Sequence, residues 1–282
     1  MEYVLLKTLS ELISQKKFDD AVKALRKYLI IWDFDGVFTS TERLSHYAAY
    51  QLLERCNSAM IPRHILSDNL FGHQVVEHRE IITKLFKERL LKDVIFPAEF
   101  DTNRDNLQME MFKDITYVSR MDELLEALNC ADIQMSIATR SRPEPFWAKA
   151  AAVSVEKYIP KHHWFVNSQI SRSSTNYISA FEKAKTRGLS KEQFKFDKTE
   201  AFAYAAETCG ANVKRSIVVE DTVKGVKSAI NAGCHAFAFL GAEDTNAEET
   251  RKQLKGIIPE SQIADNAEDL MRKMLAFAQA NA

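Results

Sequence analysis

The sequence lacks a charge bias: 38 Lys and Arg stand against 39 Asp and Glu. That balance removes any global electrostatic reason to expect nucleic acid or a membrane surface as partner. Cysteine is scarce. The four present, Cys56, Cys130, Cys209 and Cys234, are scattered without a CxxC or CxxH spacing, and read as buried free thiols in a reducing compartment. No apolar run approaches the roughly 18 residues that a membrane-spanning helix needs. Glu2, Lys7 and Glu11 interrupt the apolar positions of the N-terminus, which excludes a secretory signal there. The signatures GxSxG, HExxH, GxxxxGK[ST] and GxGxxG are missing, so serine hydrolase, zinc protease and nucleotide-binding readings have no starting point. Internal repeats and low-complexity tracts are absent too. A soluble cytoplasmic protein is the expectation.

What is present has the composition of an ordinary globular protein, 46% hydrophobic and 27% charged over 282 residues. That length suits one large domain with an insertion, or two modest ones. Residues 3–29 read as two short amphipathic helices, with Leu5, Leu6, Leu9, Leu12 and Ile13 in the first and Phe18, Val22, Leu25 and Leu29 in the second. Four short apolar runs follow the pattern of buried parallel strands: Leu29–Trp32, Ile133–Ala138, Ser216–Val219 and His235–Leu240. Helical patterns separate them at Asp122–Leu128, Glu200–Glu207 and Val223–Ala232. Alternation of this kind predicts an α/β fold, a Rossmann-like doubly wound parallel sheet. Between Glu42 and Thr116 the rhythm breaks into helix-like segments such as Leu44–Leu53 and Val75–Leu90, an inserted helical domain. Ser171–Ser174 reads as a polar loop.

In an open parallel sheet, ligands bind beyond the carboxyl ends of the strands. The residues there are Asp33 and Asp35 after the first run, Thr139 after the second, and Glu220 and Asp221 after the third. Carboxylates and a hydroxyl converging on one edge make a metal site beside a phosphate pocket. Hard oxygen donors without His or Cys favour Mg²⁺.

Asp33-Phe34-Asp35-Gly36-Val37 resembles the first motif of the haloacid dehalogenase superfamily, DxDG followed by an apolar residue. The run from Ile217 through Glu220-Asp221 to Gly225, Ala229, Ala232 and Gly233 resembles its fourth, an apolar strand and acidic pair followed by GVxxAxxAG. Ile137-Ala138-Thr139-Arg140-Ser141 resembles the second motif. Lys198, in Asp197-Lys198-Thr199-Glu200-Ala201, resembles the lysine of the third, with Lys195 as the competing choice and the usual proline missing. The resemblance is to the capped phosphatase and β-phosphoglucomutase-like branch. It implies a catalytic core of 29–41 with 117–282 and an α-helical cap at 42–116, and leaves the amphipathic segment 1–28 as an N-terminal helical extension. Ser40 stands where the branch carries an aspartate at the start of its cap. Phe71-Gly72-His73 resembles the cap's substrate loop, with His73 either a ligand contact or a solvated histidine.

The resemblance implies a phosphomonoester phosphatase for a small phosphorylated metabolite, working through an aspartyl-phosphate. Asp33 is then the nucleophile and Asp35 the general acid and base. Thr139, with Arg140 beside it, and Lys198 bind the phosphate. Mg²⁺ is held by Asp33, Asp35 through its backbone carbonyl, and Asp221, with Glu220 adjacent. A sugar phosphomutase would use the same core residues, and a non-catalytic partner-binding protein would keep only the fold. Thr139 and Lys198 are about twice as far apart as in the family. The surplus, Ser171–Phe194, holds an expected helix at Tyr177–Arg187, and Lys183, Lys185, Arg187, Lys191 and Lys195 make its end basic. These charges are a solvated helix face or a surface for an anionic substrate or partner. The N-terminal hairpin and the insert at 171–195 are the candidate protein-docking regions.

Overall fold

The computed structural model describes residues 15–70, 77–89, 91, 93–166, 181–182, 185–186, 188, 197–243 and 246–282. The chain separates into two compact units: residues 1–40 with 116–282, and residues 41–115.

The first unit is built on a six-stranded sheet, all parallel, in the order β3-β2-β1-β4-β5-β6. The strands are β1 (Leu29–Trp32), β2 (Met135–Thr139), β3 (Trp164–Val166), β4 (Ser216–Glu220), β5 (His235–Phe239) and β6 (Ile263–Ala264). Side chains alternate between faces along a strand, so both faces of β1 need cover. Leu29 and Ile31 join Val218, Ala236 and Ala238 in a core completed by Phe202, Ala205, Val226 and Ala229. Those last four come from α8 (Lys198–Thr208) and α9 (Val223–Asn231). Trp32, on the other face, is fully buried and meets the Phe38 ring at 5.4 Å. The doubly wound α/β class read from the sequence is the class observed.

Several boundaries differ from the sequence reading. Strand pairing begins at Met135 rather than Ile133, and it continues through Thr139, which pairs with Val166. Likewise Glu220 ends β4 inside the ladder, opposite Ala238. Leu29 does not extend the N-terminal helix. That helix, α1 (Gln15–Leu25), stops at Leu25, and Leu29 opens β1, paired with Ser216. Phe18, Ala21, Ala24 and Leu25 are buried, and α1 packs against the C-terminal helix Ala267–Ala280. The strands β3 and β6 were not anticipated. The cysteines are free, but only Cys234 is buried, and burial pushes its thiol up to about 12; Cys130 is exposed. The segment carrying Leu5 to Ile13, His73, the Ser171–Ser174 loop, and Lys183, Arg187, Lys191 and Lys195 lie outside the described residues. Lys185 is exposed, 3.7 Å from Glu182. Among the described residues no helix is long and apolar enough to cross a membrane.

Among the described residues the second unit holds four α-helices: α2 (Glu42–Glu54), α3 (Arg63–Leu70), α4 (His78–Glu88) and α5 (Phe100–Met111). Its core gathers Ala49, Leu53, Leu66, Ile82, Phe86 and Phe100. The buried Arg104 side chain is neutralised by Asp101 and Asp105, each at 2.9 Å. His46 is buried beside His78, ring centres 5.4 Å apart, with Nδ1 3.1 Å from Ser67 Oγ. Burial, then the neighbouring His78 and Arg43, push His46 from its ordinary 6.5 down to about 3. The fold therefore keeps the ring neutral, whereas the unfolded chain protonates it near 6.5. Protons bind preferentially to the unfolded state between those values, so stability is lost as pH falls below about 6.5. The slope is about 1 kcal/mol per pH unit. Denaturant titrations of the parent and of His46→Gln at pH 7, 6 and 5 should show a shallower pH dependence in the variant. Parallel pH profiles would assign the acid sensitivity elsewhere.

Candidate active site

The sheet order reverses direction between β1 and β4, which makes their carboxyl ends the topological switch point of the fold. Trp32 pairs with Val219, and Asp33 N–H donates to the Val219 carbonyl at 2.9 Å. Asp33 therefore leaves β1 directly beside Glu220. The next residue, Phe34, turns into the core against Phe38 and Phe146, ring centres 5.4 and 5.1 Å away. With Phe34 buried between them, Asp33 and Asp35 fall on the opposite side of the chain. The turn then closes through Gly36 N–H on the Thr39 carbonyl at 2.9 Å and Phe38 N–H on the Phe34 carbonyl at 2.8 Å.

Two helix caps bring the remaining groups in. Asp197 accepts from Thr199 N–H at 2.8 Å and Glu200 N–H at 3.2 Å, which fixes the start of α8 and places Lys198 in its first turn. Lys198 Nζ lies 2.9 Å from Asp33 Oδ2 and is also paired with Glu220. Thr222 caps α9 by accepting from Gly225 N–H at 3.1 Å. Its hydroxyl donates to Glu220 Oε2 at 3.1 Å, so the cap also anchors that carboxylate.

Asp33, Glu220 and Asp221 each offer a carboxylate oxygen, all within 4.8 Å of one another. Glycines make this crowding feasible. A Cβ on Gly225 would lie 2.0 Å from Glu220 Oε2, and one on Gly36, held at φ +76°, would lie 2.0 Å from Asp221 Oδ2. Among the described residues the cluster is negative: three carboxylates share one ammonium. Burial pushes the Asp33 carboxyl up to about 7, opposed by Lys198 and reinforced by Glu220. For Lys198, burial acts to lower the pKa, but Asp33, Glu220 and Asp221 together raise it. The Asp33 shift reflects its burial first, whereas the Lys198 shift reflects the excess of carboxylates around the ammonium. Asp33 Oδ1 is buried and accepts no hydrogen bond among the described residues. An oxygen-only donor set with an unused buried carboxylate oxygen fits a hard divalent cation.

Thr139 ends β2 on the same sheet edge, buried, its Oγ1 accepting from Ser141 N–H at 3.2 Å. Arg140 is exposed and is tied to no group of the cluster among the described residues. Asp35 sits apart from the Lys198 pair. Its carboxylate is bonded to Ser141 Oγ and to Lys149 Nζ. Neither of these two residues stood out in the sequence, although Lys149 carried a signal. Phe146, Ala150 and Val153 fall at i, i+4 and i+7 of an apolar helix face, and Lys149 occupies the i+3 position within it.

A family model of the haloacid dehalogenase-like hydrolases matches residues 29–233. No curated protein matches the sequence. Among solved structures, the chain is similar to a conserved haloacid dehalogenase-like protein of unknown function from Agrobacterium tumefaciens. The TM-score is 0.63 at 19% identity, covering 89% of this chain and 98% of that one. A hydrolase of the same family from Deinococcus radiodurans, solved with bound phosphate and sodium, gives 0.63 at 15% identity over 89% and 95%. A putative β-phosphoglucomutase from Thermotoga maritima gives 0.60 at 17% identity over 87% and 97%. At these identities the neighbours establish the fold. The family match is independent of them and spans most of the chain, including both acidic strand ends, so the chain belongs to the haloacid dehalogenase-like hydrolases.

Proposed function

We propose that this protein is a Mg²⁺-dependent phosphomonoesterase that acts through an aspartyl-phosphate on Asp33. The observation that carries this reading is the cluster at the β1 and β4 ends, where Asp33 lies against Lys198 and within reach of Glu220 and Asp221. Asp33, Asp221 and the Asp35 backbone carbonyl are the proposed cation ligands, with Glu220 adjacent. Bound there, Mg²⁺ offsets the repulsion between an anionic nucleophile and a dianionic phosphate.

The chain's own groups account for the rest. The Asp33 carboxylate attacks phosphorus as the bond to the leaving oxygen breaks, and Asp35 gives that oxygen its proton. Water then attacks the phosphorus of the aspartyl-phosphate and gives a proton to Asp35. Inorganic phosphate departs and the Asp33 carboxylate is restored. Lys198 and the Thr139 hydroxyl stabilise the non-bridging oxygens, where charge moves in the transition state. By the family resemblance, the helical unit at 41–115 serves as the cap that selects a small phosphorylated metabolite.

Metal removal tests the site as a whole. Chelation is expected to stop phosphate release from p-nitrophenyl phosphate, and Mg²⁺ to restore it. Asp221→Ala should raise the half-saturating Mg²⁺ concentration by at least about tenfold. Undiminished turnover in excess chelator would overturn the assignment. Incubation with a sugar phosphate, followed by analysis for an isomer instead of inorganic phosphate, separates hydrolysis from mutase chemistry.

A further inference from the structure

Asp35 is gripped on both carboxylate oxygens by side chains from outside its own loop. Lys149 Nζ donates to Oδ1 and Ser141 Oγ donates to Oδ2. Lys149 also reaches Ser141 Oγ at 3.4 Å, so the three groups close a triangle. The lysine is the inner member: its side chain is 5% exposed, against 33% for that of Asp35.

The helix that carries Lys149, α7 (Pro143–Ala152), is locked to the catalytic loop by a separate contact. Phe146 stacks edge-on against Phe34 at 5.1 Å and against Trp164 at 5.5 Å. Phe146 and Lys149 are three residues apart and share one face of the helix. Lys149 Nζ therefore passes over Phe34, 5.7 Å from its ring centre, to reach the residue that follows Phe34. A buried ion pair contributes little net stability, because desolvation of both charges offsets their attraction, but it does fix orientation. A lysine stem loses much rotamer freedom when confined in this way.

We propose that Lys149 is a positioning residue for proton transfer in this site: with Ser141 it clamps the Asp35 carboxyl in one orientation at the mouth of the cluster. The proposal rests on the reading of Asp35 as the group that protonates the leaving oxygen. Its consequence depends on the leaving group. An alkoxide needs that proton as the phosphorus–oxygen bond breaks, whereas p-nitrophenolate departs without it. Loosening the clamp should slow phosphoryl transfer to Asp33 from the first kind of substrate and spare that step for the second, while the later attack of water is common to both.

The experiment compares β-glycerophosphate with p-nitrophenyl phosphate, using the full chain saturated with Mg²⁺. Lys149→Met should lower kcat/KM, which reports phosphoryl transfer to Asp33 and not the later attack of water, by about 10- to 100-fold on β-glycerophosphate. On p-nitrophenyl phosphate, kcat/KM should change by less than about threefold. Lys149→Arg should recover part of the loss. Ser141→Ala, which removes one oxygen from the clamp and carries little folding risk, should show the same selectivity at smaller size. It decides the question if Lys149→Met does not fold. A rise in KM on both substrates at constant kcat would make Lys149 a phosphate ligand and overturn the proposal. Equal losses of kcat/KM on both would reduce it to structural support, and overturn it as well. Asp35→Asn is measured alongside. If that variant shows no leaving-group selectivity, the acid–base reading of Asp35 fails and the clamp falls with it. If it is selective while Lys149→Met and Ser141→Ala are not, only the clamp fails.

Discussion

Asp33→Asn should reduce phosphate release by about 10⁴-fold or more, since an amide of nearly the same shape cannot attack phosphorus. The fold should survive. Among the described residues Asp33 is one of three carboxylates around a single ammonium, and burial already drives its carboxyl towards the neutral form. Replacing it with a neutral group relieves repulsion against Glu220. The melting temperature of the variant is therefore expected to equal or exceed that of the parent. Phosphate release assays on protein verified by mass, paired with thermal melts, check both halves. Substantial turnover would sink the covalent mechanism. A fall of more than about 5 °C would show that Asp33 holds the fold as well as the chemistry.

Lys198→Met should have the opposite signature, losing stability and activity together. Its side chain is 12% exposed and faces Asp33 and Glu220, exposed by 7% and 0%. Removing the ammonium leaves two buried carboxylates without their counter-charge, a defect that costs about 3 kcal/mol in comparable buried pairs. In a unit of this size that corresponds to a fall of roughly 10 °C in melting temperature. A cation bound to the same carboxylates would restore part of the loss. Mg²⁺ should thus raise the melting temperature more in Lys198→Met than in the parent. Combining Lys198→Met with Glu220→Gln should return much of the stability without returning activity, because the site then loses one charge of each sign. Equal melting temperatures for Lys198→Met and the parent would refute the electrostatic account of the cluster.

The elements legible in the sequence were those whose local pattern had one solution. Leu29–Trp32 is uniformly apolar and stops at an acidic turn, the pattern of a strand buried on both faces, although Leu29 also fits the helical spacing before it. The expected strand Ser216–Val219 and helix Val223–Ala232 each lie within one residue of the observed Ser216–Glu220 and Val223–Asn231, the second because Gly225 and Gly233 mark its limits. Strands β3 and β6 escaped because three and two residues are too few to show a period. Their pairing with β2 and β5 supplies what the local sequence does not. The candidate site was readable where residues two apart share one loop, as with Asp33 and Asp35. It was unreadable where the partner arrives from a different helix. The contact of Lys149 with Asp35 depends on how Phe146 seats α7 against Phe34, which is a property of tertiary packing. The anchoring of Glu220 by Thr222 was missed for another reason: a threonine before a helix reads as a cap, and nothing local shows that its hydroxyl also serves a carboxylate.

The pairing of β1 with β4 has a consequence for how the protein acquires its chemistry. Asp33 is made before its neighbours Glu220 and Asp221, which emerge after both the helical unit and β2. Until β4 docks, the first strand has its aspartates but no acidic partners, and the concentrated negative potential does not exist. The site is thus a non-local contact of high sequence separation, the kind that forms late because loop closure must come first. Avidity for divalent cations should appear in the last cooperative step of folding. It would distinguish the finished molecule from compact intermediates that already possess most of their helices.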